Sequence, residues 1–308
     1  PWMGLVYQGV LSYLVDSPPA ASYIWTNMLW LLFIFGFVAG IVGELGGRVV
    51  SRMISLIGLA FGVNFVGVIG PAISHQLFGD HHWELFGDAR YTPWLRKFLF
   101  FEQEPLALGI FSALAYVLVR QKRAAPSGDA FILTGVLVGG IGLLYPPLFP
   151  TAAALLGAKV IALLSEGKWR LRSVAWNSIL GLGVCGLVAS LLTFGFLRFL
   201  TLDRVTRAIY VSWKASMLSK GISSLVVTSP LLLALFLAFK RYWRRSRQPI
   251  IVLSLGALAS LTLYVGFWLP GFHNEYKYVF TAAICLAPFV GLALDPLIER
   301  LKWATAPA

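Results

Sequence analysis

Apolar runs of membrane length recur along this chain, and they constrain it more than any other feature. Nine are expected to be helical spans, at 24–44, 53–73, 98–119, 130–145, 148–165, 174–197, 223–239, 249–269 and 278–298. About 20 residues of helix cross a bilayer core, because each residue adds about 1.5 Å of rise. A further apolar stretch, Pro1–Leu14, is only 14 residues long and has no basic flank, so it does not read as a signal peptide. It reads as the remnant of a helix that begins upstream. With 58% hydrophobic and only 12% charged residues, the chain has too little charge for the exterior of a soluble domain. The expected fold is all-α, a polytopic transmembrane helix bundle with about nine spans plus a partial N-terminal one. Residues 1–308 form one domain, read as the C-terminal part of a longer protein.

The net charge of +12 is resolved by placing it on this pattern. If spans alternate sides and the loop after Val119 is cytoplasmic, fifteen of the 25 Lys and Arg residues fall inside, against five acids. They cluster at Arg48–Arg52, Arg120–Arg123, Lys168–Arg172, Lys240–Arg247 and Arg300–Lys302. This is the positive-inside pattern. It accounts for the basic excess as orientation, with the C-terminus cytoplasmic, and leaves no basic patch to argue for nucleic acid.

The same alternation puts the polar, irregular segments on the external side. The first, His75–Pro105, carries His81, His82, Glu84, Asp88 and Arg90, and ends in Glu102 and Glu104 just before an apolar run. His and carboxylate side chains together suit substrate contact or acid–base work. Their spacing matches no metal motif, and a plain solvated loop fits the same residues. Acids at a helix start are also favoured by the helix dipole, which explains Glu102 and Glu104 without any reaction. The second segment, Leu202–Lys220, has the apolar period of a helix lying in the interface. Its Arg207 and Lys214 are candidates for a lipid phosphate, as is Arg90; simple anchoring is the alternative. The third crowds His273, Asn274, Glu275 and Lys277 against the start of the last run, more polar groups than a turn needs.

Two adjacent runs are short and meet at Tyr145-Pro146-Pro147, where paired prolines must break the helix. Within the apolar runs Asn64 and Lys159 stand out, since an ionisable group at membrane depth is a functional candidate by default. Snorkelling to an interface is the alternative for Lys159. Cys185 and Cys285 both lie in apolar runs and read as buried thiols rather than a disulfide.

The break at Tyr145-Pro146-Pro147 and the late Asn274-Glu275-Tyr276-Lys277 element resemble the C-terminal half of the GT-C glycosyltransferase superfamily. The Lys97–Leu106 segment is similar to an interfacial element of some of its members. The resemblance covers the layout of roughly 97–298 and few motif residues. It implies transfer of a sugar from a polyprenyl-phosphate donor on the external face, with membrane lipids and a lipid-linked sugar as partners. Substrate contacts would come from the polar residues named above, Tyr145 among them, and lipid-phosphate contacts from Arg90, Arg207, Lys214 and Lys277. A divalent cation is optional in that family, so the cofactor stays open. Its catalytic carboxylate lies in the first external loop, for which this chain offers only Asp16. The base is therefore unassigned and expected upstream.

Two other classes stay open beside this one. A transporter or lipid flippase would carry polar residues at the bilayer midplane between repeats. A non-catalytic subunit of a membrane complex would need no site at all.

Overall fold

A computed structural model describes residues 9–10, 12–14, 16, 18–62, 104–121, 128–165, 210–211, 216–268 and 277–304. They are helical apart from turns and one two-residue strand pair. The helices are α1 (Pro19–Glu44), α2 (Val49–Phe61), α3 (Glu104–Arg120), α4 (Gly128–Leu144) and α5 (Phe149–Ser165). They are followed by α6 (Ser216–Gly266), α7 (Lys277–Leu286) and α8 (Pro288–Ala304).

Three stretches are long and apolar enough to cross a membrane: Ile24–Glu44, Ser224–Gly266 and Lys277–Arg300. The other apolar helices have 10–17 residues. The described residues therefore support a membrane-type helical bundle, but they do not show nine spans. The expected run 174–197 and most of the N-terminal remnant lie outside them, as do Asn64 and Cys185. Cys285 is buried and unbridged.

The surface agrees with lipid as the solvent. Along α1, Ile34, Val38, Ile41 and Leu45 are buried, while Leu29, Leu32 and Phe33 on the other side are exposed. The first part of α6 likewise exposes Leu233, Phe236 and Leu237. A helix that is apolar on both its packed and its open face suits hydrocarbon, not water.

α1 starts on Pro19, whose missing N–H costs nothing in a first turn. It ends in a Schellman turn: Gly46 N–H donates to the Gly43 carbonyl at 3.0 Å and Gly47 N–H to the Val42 carbonyl at 2.8 Å. Gly46 has φ +90°, a left-handed conformation that a side chain would strain. The turn delivers Arg48 to the N-cap of α2.

α6 is two helices joined at Ser246, whose φ of −136° and ψ of 38° are not helical. Contacts show that the chain reverses there. Gly62 packs on Leu231, Tyr242 bonds Asp295, and Gly256 faces Cys285. One arm thus runs toward the α8 end and the other returns along α7. The reversal falls in the basic segment Lys240–Arg247, between two apolar runs. Pro230 in the first arm cannot donate to the Val226 carbonyl, and the Ser229 hydroxyl donates to it instead at 2.7 Å.

The expectation of one amphipathic helix across Leu202–Lys220 does not hold at Tyr210 and Val211. Tyr210 and Val211 are extended and pair antiparallel with Trp268 and Phe267. Backbone pairing to a distant segment has overridden the local apolar period. Residues 216–220 are helical, and the rest of the segment lies outside the described residues.

α7 is the most enclosed element, with all ten residues buried. α1 and α3 run side by side, Trp30 against Gly109 and Tyr116 against Gly40. These contacts give the bundle two ends. Arg48, Arg120, the Ser246 reversal and Glu299 mark one, the basic end. Tyr145, Pro146 and Lys277 mark the other.

Candidate functional site

Two residues singled out in the sequence, 132 positions apart, meet at the non-basic end. The ammonium of Lys277 donates a hydrogen bond to the hydroxyl of Tyr145, and its Nζ lies 4.6 Å from the centre of the ring. Both side chains are buried, with 4% and 6% of their surface exposed. A buried ammonium costs several kcal/mol of desolvation, roughly, unless partners compensate it.

Local sequence fixes both positions. Tyr145 closes α4, its N–H donating to the Ile141 carbonyl at 2.8 Å. Pro146 and Pro147 have no N–H, so the Tyr145 carbonyl waits for Leu148, which donates to it at 3.0 Å in a short 3-10 turn. The Thr151 hydroxyl then takes the Leu148 carbonyl at 2.7 Å. The elbow is thus hydrogen-bonded rather than loose. Lys277 is the first residue of α7, and the enclosure of that helix carries the ammonium inward with it.

The other expected site residues divide simply. Glu104 is the first residue of α3, the place a helix dipole favours for an acid. Its side chain lies outside the described residues, as do His81, His82, Glu84, Asp88, Arg90 and Glu102. Arg207, Lys214, His273, Asn274 and Glu275 lie outside them too. Among the described residues, no group of three or more His, Cys, Asp or Glu is placed to hold a metal ion.

Lys159 has a structural task. Its Nζ donates to the carbonyls of Leu118 and Gln121 at 2.8 and 2.7 Å, where α3 ends. The last carbonyls of a helix have no partner within it and carry the negative end of its dipole. A lysine from α5 supplies both donors and charge.

One constellation was missed from the sequence. Asp295, 3% exposed, accepts hydrogen bonds from the hydroxyls of Ser51 and Tyr242. Next to it, Arg48 donates to one oxygen of Glu299 at 2.7 Å and Arg241 to the other at 3.0 Å. A signal was present: Asp295 sits inside the last apolar run, where an acid is as notable as Lys159. By position it also counts among the five acids assigned to the cytoplasmic side. Its partners come from α2 and α6 and share no spacing with it in the sequence.

Comparison with protein-family models, curated proteins and solved structures finds no match to this chain.

Proposed function

We propose that the protein is an integral membrane transferase that moves a sugar from a polyprenyl-phosphate donor, with the Tyr145–Lys277 pair contacting the donor phosphate. The observation that carries this reading is the meeting of those two residues at the end of the bundle opposite the basic turns. By the positive-inside rule the basic end is cytoplasmic and this end external. A buried cation at the membrane boundary suits a lipid-linked phosphate, whose chain stays in hydrocarbon while the headgroup reaches protein.

The chemistry follows from charge. The bond between the sugar's anomeric carbon and the phosphate oxygen breaks, and a bond to the acceptor oxygen forms. The acceptor's proton passes to a carboxylate base. Negative charge builds on the departing phosphate, and the Lys277 ammonium offsets it there more than in the ground state, which lowers the barrier. Tyr145 orients the ammonium.

The test uses the full-length protein in proteoliposomes with polyprenyl-phosphate hexose donors and a hydroxyl-bearing glycan acceptor, reading release of free polyprenyl phosphate. Lys277→Met keeps the side-chain volume and removes the charge. Release should fall by roughly a hundredfold, the scale of losing one preorganised charge stabiliser, with the thermal midpoint largely kept. Release by the wild type with an unchanged rate in the variant overturns the assignment.

A further inference from the structure

The basic end of the bundle holds a second feature that sugar transfer does not use. A cavity of about 390 Å³ opens there between the α1–α2 turn, α6 and α8. Three arginines, Arg48, Arg241 and Arg245, line it together with Tyr242, Asp295 and Glu299. Its size falls in the range of about 300–1,000 Å³ common for small-molecule sites.

The charges inside are unequal. Glu299 engages Arg48 with one oxygen and Arg241 with the other. Asp295 is engaged by two hydroxyls. Arg245 has no hydrogen-bond or ion-pair partner among the described residues. Three cations therefore face two carboxylates, and one guanidinium is uncommitted. Arg48 and Arg241 each give Glu299 a single hydrogen bond out of five N–H donors, so both can bind further oxygens.

What adjoins the cavity selects the ligand. α2 begins directly after Arg48 and lays its small polar side, Ser51 and Ser55, on α8. Its opposite side is an open apolar stripe, Val49, Met53, Ile57 and Phe61, spaced by four residues and each about half exposed or more. The stripe runs from the arginine level along the helix, as an acyl chain would. Phe239 and Trp243 stack at 4.5 Å, and Arg247 lies 5.2 Å from the Trp243 ring. Aromatic and basic residues together mark the level of lipid headgroups.

We propose that this cavity binds the phosphate of an anionic phospholipid. Arg245 makes the first contact, Arg48 and Arg241 donate from the N–H groups that Glu299 leaves, and the acyl chains lie on the α2 stripe. A basic pocket between helices at the membrane surface is a recurrent way of holding an anionic headgroup. Glu299 keeps two of the arginines in place when the site is empty and limits binding to anions that outcompete one carboxylate.

The whole chain in lipid nanodiscs tests this, with bound lipid counted by native mass spectrometry. Phosphatidylglycerol should be retained in preference to phosphatidylcholine. Arg245→Gln should weaken that retention roughly tenfold, the scale of one charge-assisted hydrogen bond. Because Arg245 is exposed and has no partner among the described residues, the variant should fold. Ile57→Asn, on the stripe, should weaken both lipids while leaving the arginines intact. Equal retention of the two lipids, or an unchanged preference in Arg245→Gln, overturns the proposal. A third arm adds inorganic phosphate to phosphatidylcholine discs. Protection against unfolding by phosphate equal to that by phosphatidylglycerol would identify a soluble anion as the ligand and also overturn it. None of these readings depends on sugar transfer at the other end.

Discussion

The hydroxyl of Ser55 on α2 is built into a break in its neighbour: it accepts from the Gly291 N–H at 3.1 Å and donates to the Pro288 carbonyl at 3.1 Å. Pro288 cannot continue the hydrogen bonding of α7 into α8, and a side chain from another helix completes the first turn of α8. This requires the two backbones to touch. A Cβ on Gly291 would overlap the Ser51 carbonyl, and one on Gly58 would lie 2.8 Å from Val290. Small residues at such a crossing are the usual means of close approach between membrane helices.

Gly291→Ala should therefore push α2 off α8. The expected loss of stability is about 1–3 kcal/mol, the range for overpacking. Ser55→Ala should cost about 1–2 kcal/mol through two lost hydrogen bonds. Unfolding in mixed detergent micelles measures both. If Gly291→Ala matched the wild type, the close packing of these helices would be refuted.

Lys159→Met addresses whether that lysine is structural. Removing the ammonium leaves the Leu118 and Gln121 carbonyls without its donors, and stability should drop by about 1–3 kcal/mol. The loss should appear at the end of α3, read as faster amide exchange near Leu118. A variant equally stable but inactive would instead place Lys159 in a functional path.

The Asp295 constellation predicts coupling. Asp295→Asn and Tyr242→Phe should each destabilise, and the double variant should be less destabilised than their sum, by about 0.5–3 kcal/mol. The cause is a shared bond: once Tyr242 loses its hydroxyl, part of what Asp295 contributes has already gone. Strict additivity in a double-mutant cycle would mean that the two do not interact in the membrane-embedded protein.

Much of the candidate site was visible as parts. Lys277 stood out because charge and polarity crowd the start of an apolar run, and Tyr145 because Pro146 and Pro147 must break a helix after it. Their pairing was not visible, since nothing local relates residues 132 apart. Lys159 was visible as an anomaly, but its use depends on where α3 stops. The role of Asp295 was not legible, because counting charges per loop has no place for an acid that folds back onto hydroxyls of two other helices.

What the sequence determined by itself is the class of solvent and the long axis. Apolar runs with few charges can satisfy their backbone only as helices in lipid, and basic residues gathered between runs sort the two ends of the bundle. The Pro146–Pro147 elbow and the basic reversal near Ser246 are also local, fixed by missing N–H donors and by charge that stays at the headgroup level. Tertiary structure alone decided which helices touch. Lipid gives no hydrophobic preference for one apolar face over another, so contacts follow small-residue fit, such as Gly291 on Ser51, and a few polar bonds, such as Ser51 and Tyr242 on Asp295. It also decided that Tyr210–Val211 is a strand and not helix, because a backbone partner 57 or so residues later satisfied it better than its own turn.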